Sequence, residues 1–440
     1  MNTNTPNISV DLIIHPQWIA TGSNATILSN HSIAIKDGSI VDIAATNTIN
    51  EAYTASETVT LEEHLLTPGM VNTHAHASMY LLRGLADDEP LMDWLNNTIW
   101  PAEKKWVSEE FVEDGTLLAA AEMLTSGVTT FNDMYFFPEA AARAATRTGS
   151  RMHLSMSVLD FPTAWAEHAD EYLEKSETAI TTLTDNPLIT LGIGPHAPYT
   201  TSDETLQKVL AFSQKHQCLI HMHVHETAFE VSQALETTGI RPIERLNRLG
   251  LLSERFHAVH ATQLDESDIH TLANANAHVI HCPESNLKLA SGFCPITELT
   301  RQGINVALGT DGSASNNDLD MLSEARTAAL LAKAQANQAD AIPASTALTL
   351  ATHNGGKALQ LPIGTIAKNS AADLVAFDFS GWRAKPLYQP LSNLIYASTR
   401  DQVKHVWVNG QKVVDNGTLT TIDEKELHAT AEKWQNRLGQ

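Results

Sequence analysis

Cysteine is scarce. The 440 residues include three, Cys218, Cys282 and Cys294. That excludes a disulfide framework and reads as buried thiols in a reducing compartment. No pair has Cys-x-x-Cys spacing, so zinc deaminase chemistry of that type is excluded as well. Basic charge is also short: 28 Lys and Arg stand against 51 Asp and Glu, a formal net charge of −23. Such a chain repels nucleic acid and anionic membrane, and an acidic surface serves solubility. No apolar run is long enough to span a bilayer. Met1 to Val10 lacks a basic segment followed by an apolar core, so no secretory signal is expected. These absences leave a cytoplasmic enzyme as the simplest class.

What is present is ordinary for a globular protein, with 43% hydrophobic and 18% charged residues. The length asks for one large domain and a smaller one. Both ends carry short β signals. Asp11–Ile14 reads as a strand, and Ser32–Lys36 and Ile40–Ile43 flank the turn Asp37-Gly38. Near the other end, Asp373–Asp378 alternates, and Val403–Val408 leads through Asn409-Gly410 to Lys412–Val414. Neither end can bury its own sheet, so the two are expected to meet in one β-sandwich domain, residues 1–66 plus 370–440.

The middle, 67–369, alternates apolar strand-like runs with helical patterns such as Glu109–Thr125, Pro138–Thr148, Ser202–His216 and Asp265–Ala273. The runs are Leu65–His74, Gly127–Met134, Met152–Leu159, Ile189–His196, Leu219–His225, Phe256–Thr262, His278–Cys282 and Ile304–Thr310. Eight such units in about 250 residues predict a (β/α)8 TIM barrel, whose chemistry sits at the C-terminal strand ends. Polar residues do gather there: His74 and His76, Asn132 and Asp133, His196, the group His221, His223, His225 and Glu226, then His260, His281 and Asp311. A lone histidine at a strand end is more often a hydrogen-bonded core group than a ligand. Seven such ends together are hard to explain as packing, because buried polar groups are costly unless paired. In Thr73-His74-Ala75-His76, the i, i+2 spacing on a strand turns both imidazoles to one side, as a metal pair or a hydrogen-bonded pair.

Several segments resemble the amidohydrolase superfamily and, within it, the 5′-methylthioadenosine/S-adenosylhomocysteine deaminases. They are Val71–His76, Leu81–Gly84, Gly194–Tyr199, Ser285–Leu289 and Gly309–Asn317. The resemblance covers nearly the whole chain. It implies that His74, His76, His223 and Asp311 bind one divalent metal, Zn2+ or Fe2+. His223 is chosen over His221 and His225 because the family's ligand precedes its catalytic glutamate by three residues, here Glu226; the other two are read as supporting or packing groups. Relatives with two metals use a lysine on the fourth strand, and Leu188–His196 has none, so one metal is expected.

The implied activity is hydrolytic deamination of an adenosine-type nucleoside to the inosine derivative. Glu226 protonates the ring nitrogen, while His260 and Asp311 orient the water and take its proton. The resemblance also assigns Glu103 to the ribose hydroxyls and His196 to the bound nucleoside, while Glu226 and Asp311 contact the reacting ring. Without the family, Glu103 reads equally well as a first-turn helix glutamate after Pro101. Met79, Tyr80, Leu82, Trp94 and Trp100 make either a purine pocket or ordinary core. Arg83 reads as a structural residue of its loop. Some relatives carry arginines on or after the third strand for an amino-acid carboxylate. Leu154–Asp160 has none, and none follows before Arg241, so methylthioadenosine and adenosine are expected to outrank S-adenosylhomocysteine. The alternative is a related hydrolase of triazines, guanine or oxidised purines. A homo-oligomer, dimer or tetramer, is expected; the Ala/Leu-rich Ser323–Ala336 is read as buried in the barrel shell rather than as its interface.

Overall fold

Strands from both ends of the chain share one sheet. The structure is a computed structural model describing residues 8–23 and 26–439. Residues 1–7, which belong to the expected terminal domain and to the stretch read for a signal, lie outside the described residues. The N-terminal strands are β1 (Ile8–Ala20), β2 (Ile27–Ser29), β3 (His31–Lys36), β4 (Ser39–Ala45) and β5 (Tyr53–Pro68). Eight more follow: β6 (Met70–Ala75), β7 (Val128–Asp133), β8 (Arg151–Val158), β9 (Ile189–Pro195), β10 (Ile220–Val224), β11 (Phe256–His260), β12 (His278–His281) and β13 (Val306–Leu308). The C-terminal strands are β14 (Leu374–Asp378), β15 (Val403–Val408), β16 (Gln411–Asp415) and β17 (Thr418–Leu419).

The terminal sheet runs β17-β16-β15-β14-β5-β1-β3-β4, with β2 beside β1. Its seam is the antiparallel β5–β14 pair, Pro68 opposite Leu374 and His64 opposite Asp378. Two hairpin turns have the left-handed pairs that such turns need: Asp37 and Gly38 at φ 50° and 74°, Asn409 and Gly410 at 50° and 76°. Ile14, Ile33, Ile35, Leu66, Leu374 and Trp407 form one of its cores, so residues from both termini close it together.

The expected first run, Leu65–His74, is two strands in two sheets. Its first part ends β5, and Gly69 separates that from β6. A Cβ on Gly69 would lie 1.9 Å from Thr129 Oγ1, so only glycine lets the chain cross so close to β7. The eight strands β6 to β13 are parallel neighbours in chain order, a TIM barrel. Its ends are joined by Thr73 Oγ1 donating to the Leu308 carbonyl at 2.6 Å and by Asp311 N donating to the His74 carbonyl at 3.0 Å. A Cβ on Gly309 would stand 2.8 Å from His74 N, so glycine permits this closure.

The helical patterns hold with small shifts at their starts. Ser202 caps Asp203–His216, and Asp265 forms a capping box for Glu266–Ala275. In Met321–Ala336, Ala325, Ala328, Ala329 and Ala332 are buried in the shell. Among the described residues, no helix is long and apolar enough to cross a membrane.

At the lower end of the barrel, Arg151 grips Asp373 with both ends of its guanidinium, Nε at 2.8 Å and Nη2 at 3.1 Å, and Asp373 also accepts from Asn409 N at 2.7 Å. Both side chains are buried. Arg151→Met is expected to lower stability by about 3–5 kcal/mol, because it leaves the carboxylate buried without its cation. The denaturant midpoint reads this, and an unchanged midpoint counts against the clamp.

Candidate active site

Strand ends bring the expected residues to one mouth. His74 lies on β6, and His76 just beyond it, their rings 4.8 Å apart. His223 comes from β10, and Asp311 from the loop after β13. His74 Nε2 and His223 Nε2 are 3.2 Å apart, and Asp311 Oδ1 lies 3.3 Å from both His74 Nε2 and His76 Nε2. In a tetrahedral shell with zinc–nitrogen distances near 2.0–2.1 Å, neighbouring donors stand about 3.3–3.4 Å apart. The observed spacing fits such an ion. A second set of nitrogens within reach of one another is His74, His223 and His260.

Electrostatics point the same way. Burial lowers His74 to about 4, although Asp311 pulls upward. At His76 burial also works downward, but contact with the Asp311 carboxylate prevails and raises it to about 9. Asp311, despite burial that acts upward, is held well below the carboxylate range by those two imidazoles. The ionised Asp311 carboxylate and the neutral His74 imidazole are in the forms that a metal ligand needs.

Each of these groups is fixed from behind. His76 Nδ1 meets the Met134 carbonyl at 2.6 Å, and His223 Nδ1 meets that of His196 at 2.8 Å. Asp311 Oδ2 accepts from Ser285 and Ser315, both at 2.7 Å. His260 Nδ1 meets Asn286 Oδ1 at 2.8 Å, leaving Nε2 3.8 Å from Glu226 Oε2. Burial raises the Glu226 carboxyl, with the His260 imidazole opposing. Glu230 accepts from the backbone N–H groups of His225 and Glu226 at 2.9 Å each and so sets the turn that aims Glu226. His225 (φ 55°), His260 (71°), Ala261 (48°) and Asp311 (63°) all occupy the left-handed region. Such strain costs about 1–3 kcal/mol per residue and gathers at functional sites.

The histidines flanking His223 face elsewhere. His221 Nε2 lies 2.8 Å from His74 Nδ1, below the cluster. His225 accepts from Ile243 N at 3.2 Å and packs beside Asp268.

Above the cluster opens a half-open cavity. His76, His196, His223, Glu226, His260 and Asp311 form its floor. Burial, then the neighbouring His76 and His74, lowers His196 to about 3. The walls include Leu91, Trp94, Leu95, Ile99, Trp100, Leu159 and Phe161, and among the described residues that line it there is neither lysine nor arginine. Glu103 lies in the first turn of its helix and also lines the cavity, so the two readings of it coexist. Tyr135 donates to Glu103 Oε1 at 2.5 Å; burial raises the Glu103 carboxyl, and this bond opposes it.

Met79, Trp94 and Trp100 line the cavity, but Tyr80 and Leu82 do not. Leu82 is core, and Tyr80 stacks under the Arg83 guanidinium at 4.1 Å. Arg83 itself pairs with Glu122 at 2.8 Å, a structural role in its loop. The sequence reading missed Tyr135, Ser285, Ser315, Asn286 and Glu230. Ser285, Asn286 and Ser315 lie within segments that carried the family resemblance, the one signal that pointed towards them.

Comparison with known proteins agrees with this geometry. The amidohydrolase family profile matches residues 65–413. A 5-methylthioadenosine/S-adenosylhomocysteine deaminase of Saccharophagus degradans is 45% identical over 441 residues, covering 100% of this chain and 98% of the relative. A 5′-deoxyadenosine deaminase of Methanothermobacter thermautotrophicus is 38% identical over 424 residues, 96% and 97% of the two chains. The crystal structure of an adenosine deaminase from Xanthomonas campestris with bound zinc superposes with a TM-score of 0.97 at 44% identity, over 98% of this chain and 99% of that one. The chain therefore belongs to the amidohydrolase family, within the group of 5-methylthioadenosine/S-adenosylhomocysteine deaminases.

Proposed function

We propose that this chain hydrolytically deaminates adenosine-type nucleosides with a small uncharged 5′ group, 5′-methylthioadenosine for preference, giving the inosine derivative and ammonia. One observation carries the reading. A single cavity joins the histidine–aspartate cluster and Glu226 at its floor to the half-buried carboxylate of Glu103, through walls that are largely apolar and, among the described residues, free of lysine and arginine. The names of the relatives, all nucleoside deaminases, support it.

His74, His76, His223 and Asp311 would hold one divalent ion, zinc by analogy with the Xanthomonas enzyme. Such an ion supplies Lewis acidity that brings the pKa of water down towards about 7. The protein's own groups do the rest. Burial favours the protonated form of Glu226, the form that gives a proton to the ring nitrogen beside the carbon that bears the amine. That carbon becomes the better electrophile. His260, tethered by Asn286, and Asp311, tethered by two serines, orient the attacking water and take its proton. A proton then reaches the amine, and ammonia departs. Glu103 accepts from the ribose hydroxyls with Tyr135 holding its other side, and His196 contacts the nucleoside. Three free, buried thiols support a reducing, cytoplasmic setting. A homo-oligomer remains the expected assembly.

The test is kcat/KM across 5′-methylthioadenosine, 5′-deoxyadenosine, adenosine and S-adenosylhomocysteine. The last is expected to trail methylthioadenosine at least about tenfold, the ratio that 1.4 kcal/mol gives, because its carboxylate enters a wall without a cationic partner. A clear win for S-adenosylhomocysteine sinks the preference. Turnover of triazines or free guanine without nucleosides sinks the function.

A further inference from the structure

Below the cluster, a column of imidazoles runs down the barrel interior. His74 Nδ1 lies 2.8 Å from His221 Nε2, His221 Nδ1 lies 3.1 Å from His257 Nδ1, and His257 Nε2 lies 2.9 Å from the Ala358 carbonyl oxygen. All three rings are buried at no more than 1% exposure, and adjacent imidazoles so deep are neutral, because charging them together is prohibitive. A neutral imidazole has one donor and one acceptor nitrogen.

The Ala358 oxygen settles which is which. It ends the short helix His353–Ala358, where last-turn carbonyls lack an intrahelical partner, and an oxygen can only accept. The proton of His257 therefore sits on Nε2, and its Nδ1 is a lone pair. Two lone pairs at 3.1 Å repel, so His221 must present Nδ1–H to it. His221 Nε2 is then an acceptor, and His74 must donate Nδ1–H. The lone pair of His74 is left on Nε2, the nitrogen that faces His223 and Asp311. Asn132 Nδ2 also lies 3.2 Å from His221 Nδ1, while Asn132 Oδ1 accepts from Ser155; one of its two N–H groups donates to the Thr73 carbonyl at 3.1 Å, and using the other on His221 would need a lone pair at His221 Nδ1 that then faces the lone pair of His257 Nδ1 at 3.1 Å. The reversed column would need a lone-pair clash at His257 and would leave a proton on His74 Nε2, pointing into the cluster.

We infer that His257 and His221 are positioning residues, and that a backbone carbonyl at the far end of the column fixes the tautomer of His74 for metal binding. This rests on the reading of His74 as a metal ligand. The relay explains why an apolar side chain does not fill the barrel centre at His257, which touches neither the cluster nor the cavity.

The test uses full-length, zinc-loaded enzyme. Zinc transfer to a chelator is followed for the unmutated protein, His257→Leu and His257→Gln. His257→Leu is expected to weaken zinc binding about 10–100-fold, as loss of an outer hydrogen-bond partner does. His257→Gln can donate from its amide nitrogen to Ala358 and accept at its amide oxygen from His221, so it should restore binding to within a few-fold. In the unmutated enzyme, 15N imidazole spectra should place the His221 proton on Nδ1 and the His257 proton on Nε2; these spectra decide the matter even if His257→Leu does not fold. The opposite tautomer at His221, or zinc held as tightly by His257→Leu as by the unmutated enzyme, overturns the inference alone. Unmutated enzyme that holds no divalent metal overturns the metal-site reading along with it.

Discussion

Glu226→Gln is expected to lower kcat by about 10²–10⁴-fold, the usual worth of a positioned acid or base, with metal content unchanged. The geometry separates the two readouts. Glu226 contributes no atom to either group of converging donors. Its carboxylate lies 3.4 Å from Ser291 Oγ and 3.8 Å from His260 Nε2. Glutamine has the same shape and keeps a polar contact to Ser291, and Glu230 still grips the backbone on either side of the turn. What is lost is an acidic proton above the cavity floor. The measurement is steady-state kcat beside metal analysis of the same preparation. Turnover within a few-fold of the unmutated enzyme would remove Glu226 from the proton path. Loss of metal together with turnover would make it a structural element of the cluster.

Glu103→Ala should separate nucleosides from free bases. A hydrogen bond to a charged acceptor is worth about 1.5–3 kcal/mol, so losing contact with two hydroxyls costs kcat/KM about 10²-fold or more for a nucleoside. Free adenine makes no such contact and should change by only a few-fold. Glu103 is suited to this because burial raises the cost of its charge and Tyr135 offsets only part of that cost. Equal losses for both substrates would place its role in holding the helix 100–106 instead, and the ribose assignment would fail.

The barrel was legible in the sequence because eight apolar-rich runs alternate with helical patterns and end in histidines and carboxylates, although β8, β10 and β11 also carry His153, His221 and His257 below the mouth. The last strand was hardest to bound; only Val306–Leu308 keep ladder geometry before Gly309 and Asp311 turn in. β5 was missed except for its end, because Tyr53–Glu63 is largely exposed and carries Glu57, Glu62 and Glu63, without the apolar face that betrays a strand. Within the site, residues of distinctive chemistry were found, whereas those holding them were not. Tyr135, Asn286 and Ser315 carry no local pattern that marks a site role until distant segments fold together. The family resemblance, through its ligand-to-glutamate spacing, selected His223 among three histidines, but the work of His221 depends on His257 and Ala358, whose placement no local pattern encodes.

The seam between β5 and β14 also sets a timetable for synthesis. Pro68 leaves the ribosome 306 residues before Leu374 (374 − 68), an interval of about 15–60 s at 5–20 residues per second. Throughout it, the nascent chain carries a long strand whose final neighbour has not yet been made, an edge on which other chains can pair. Slower elongation lengthens that exposure, so yield of native enzyme should depend on translation speed and on holdase chaperones more than its finished stability suggests.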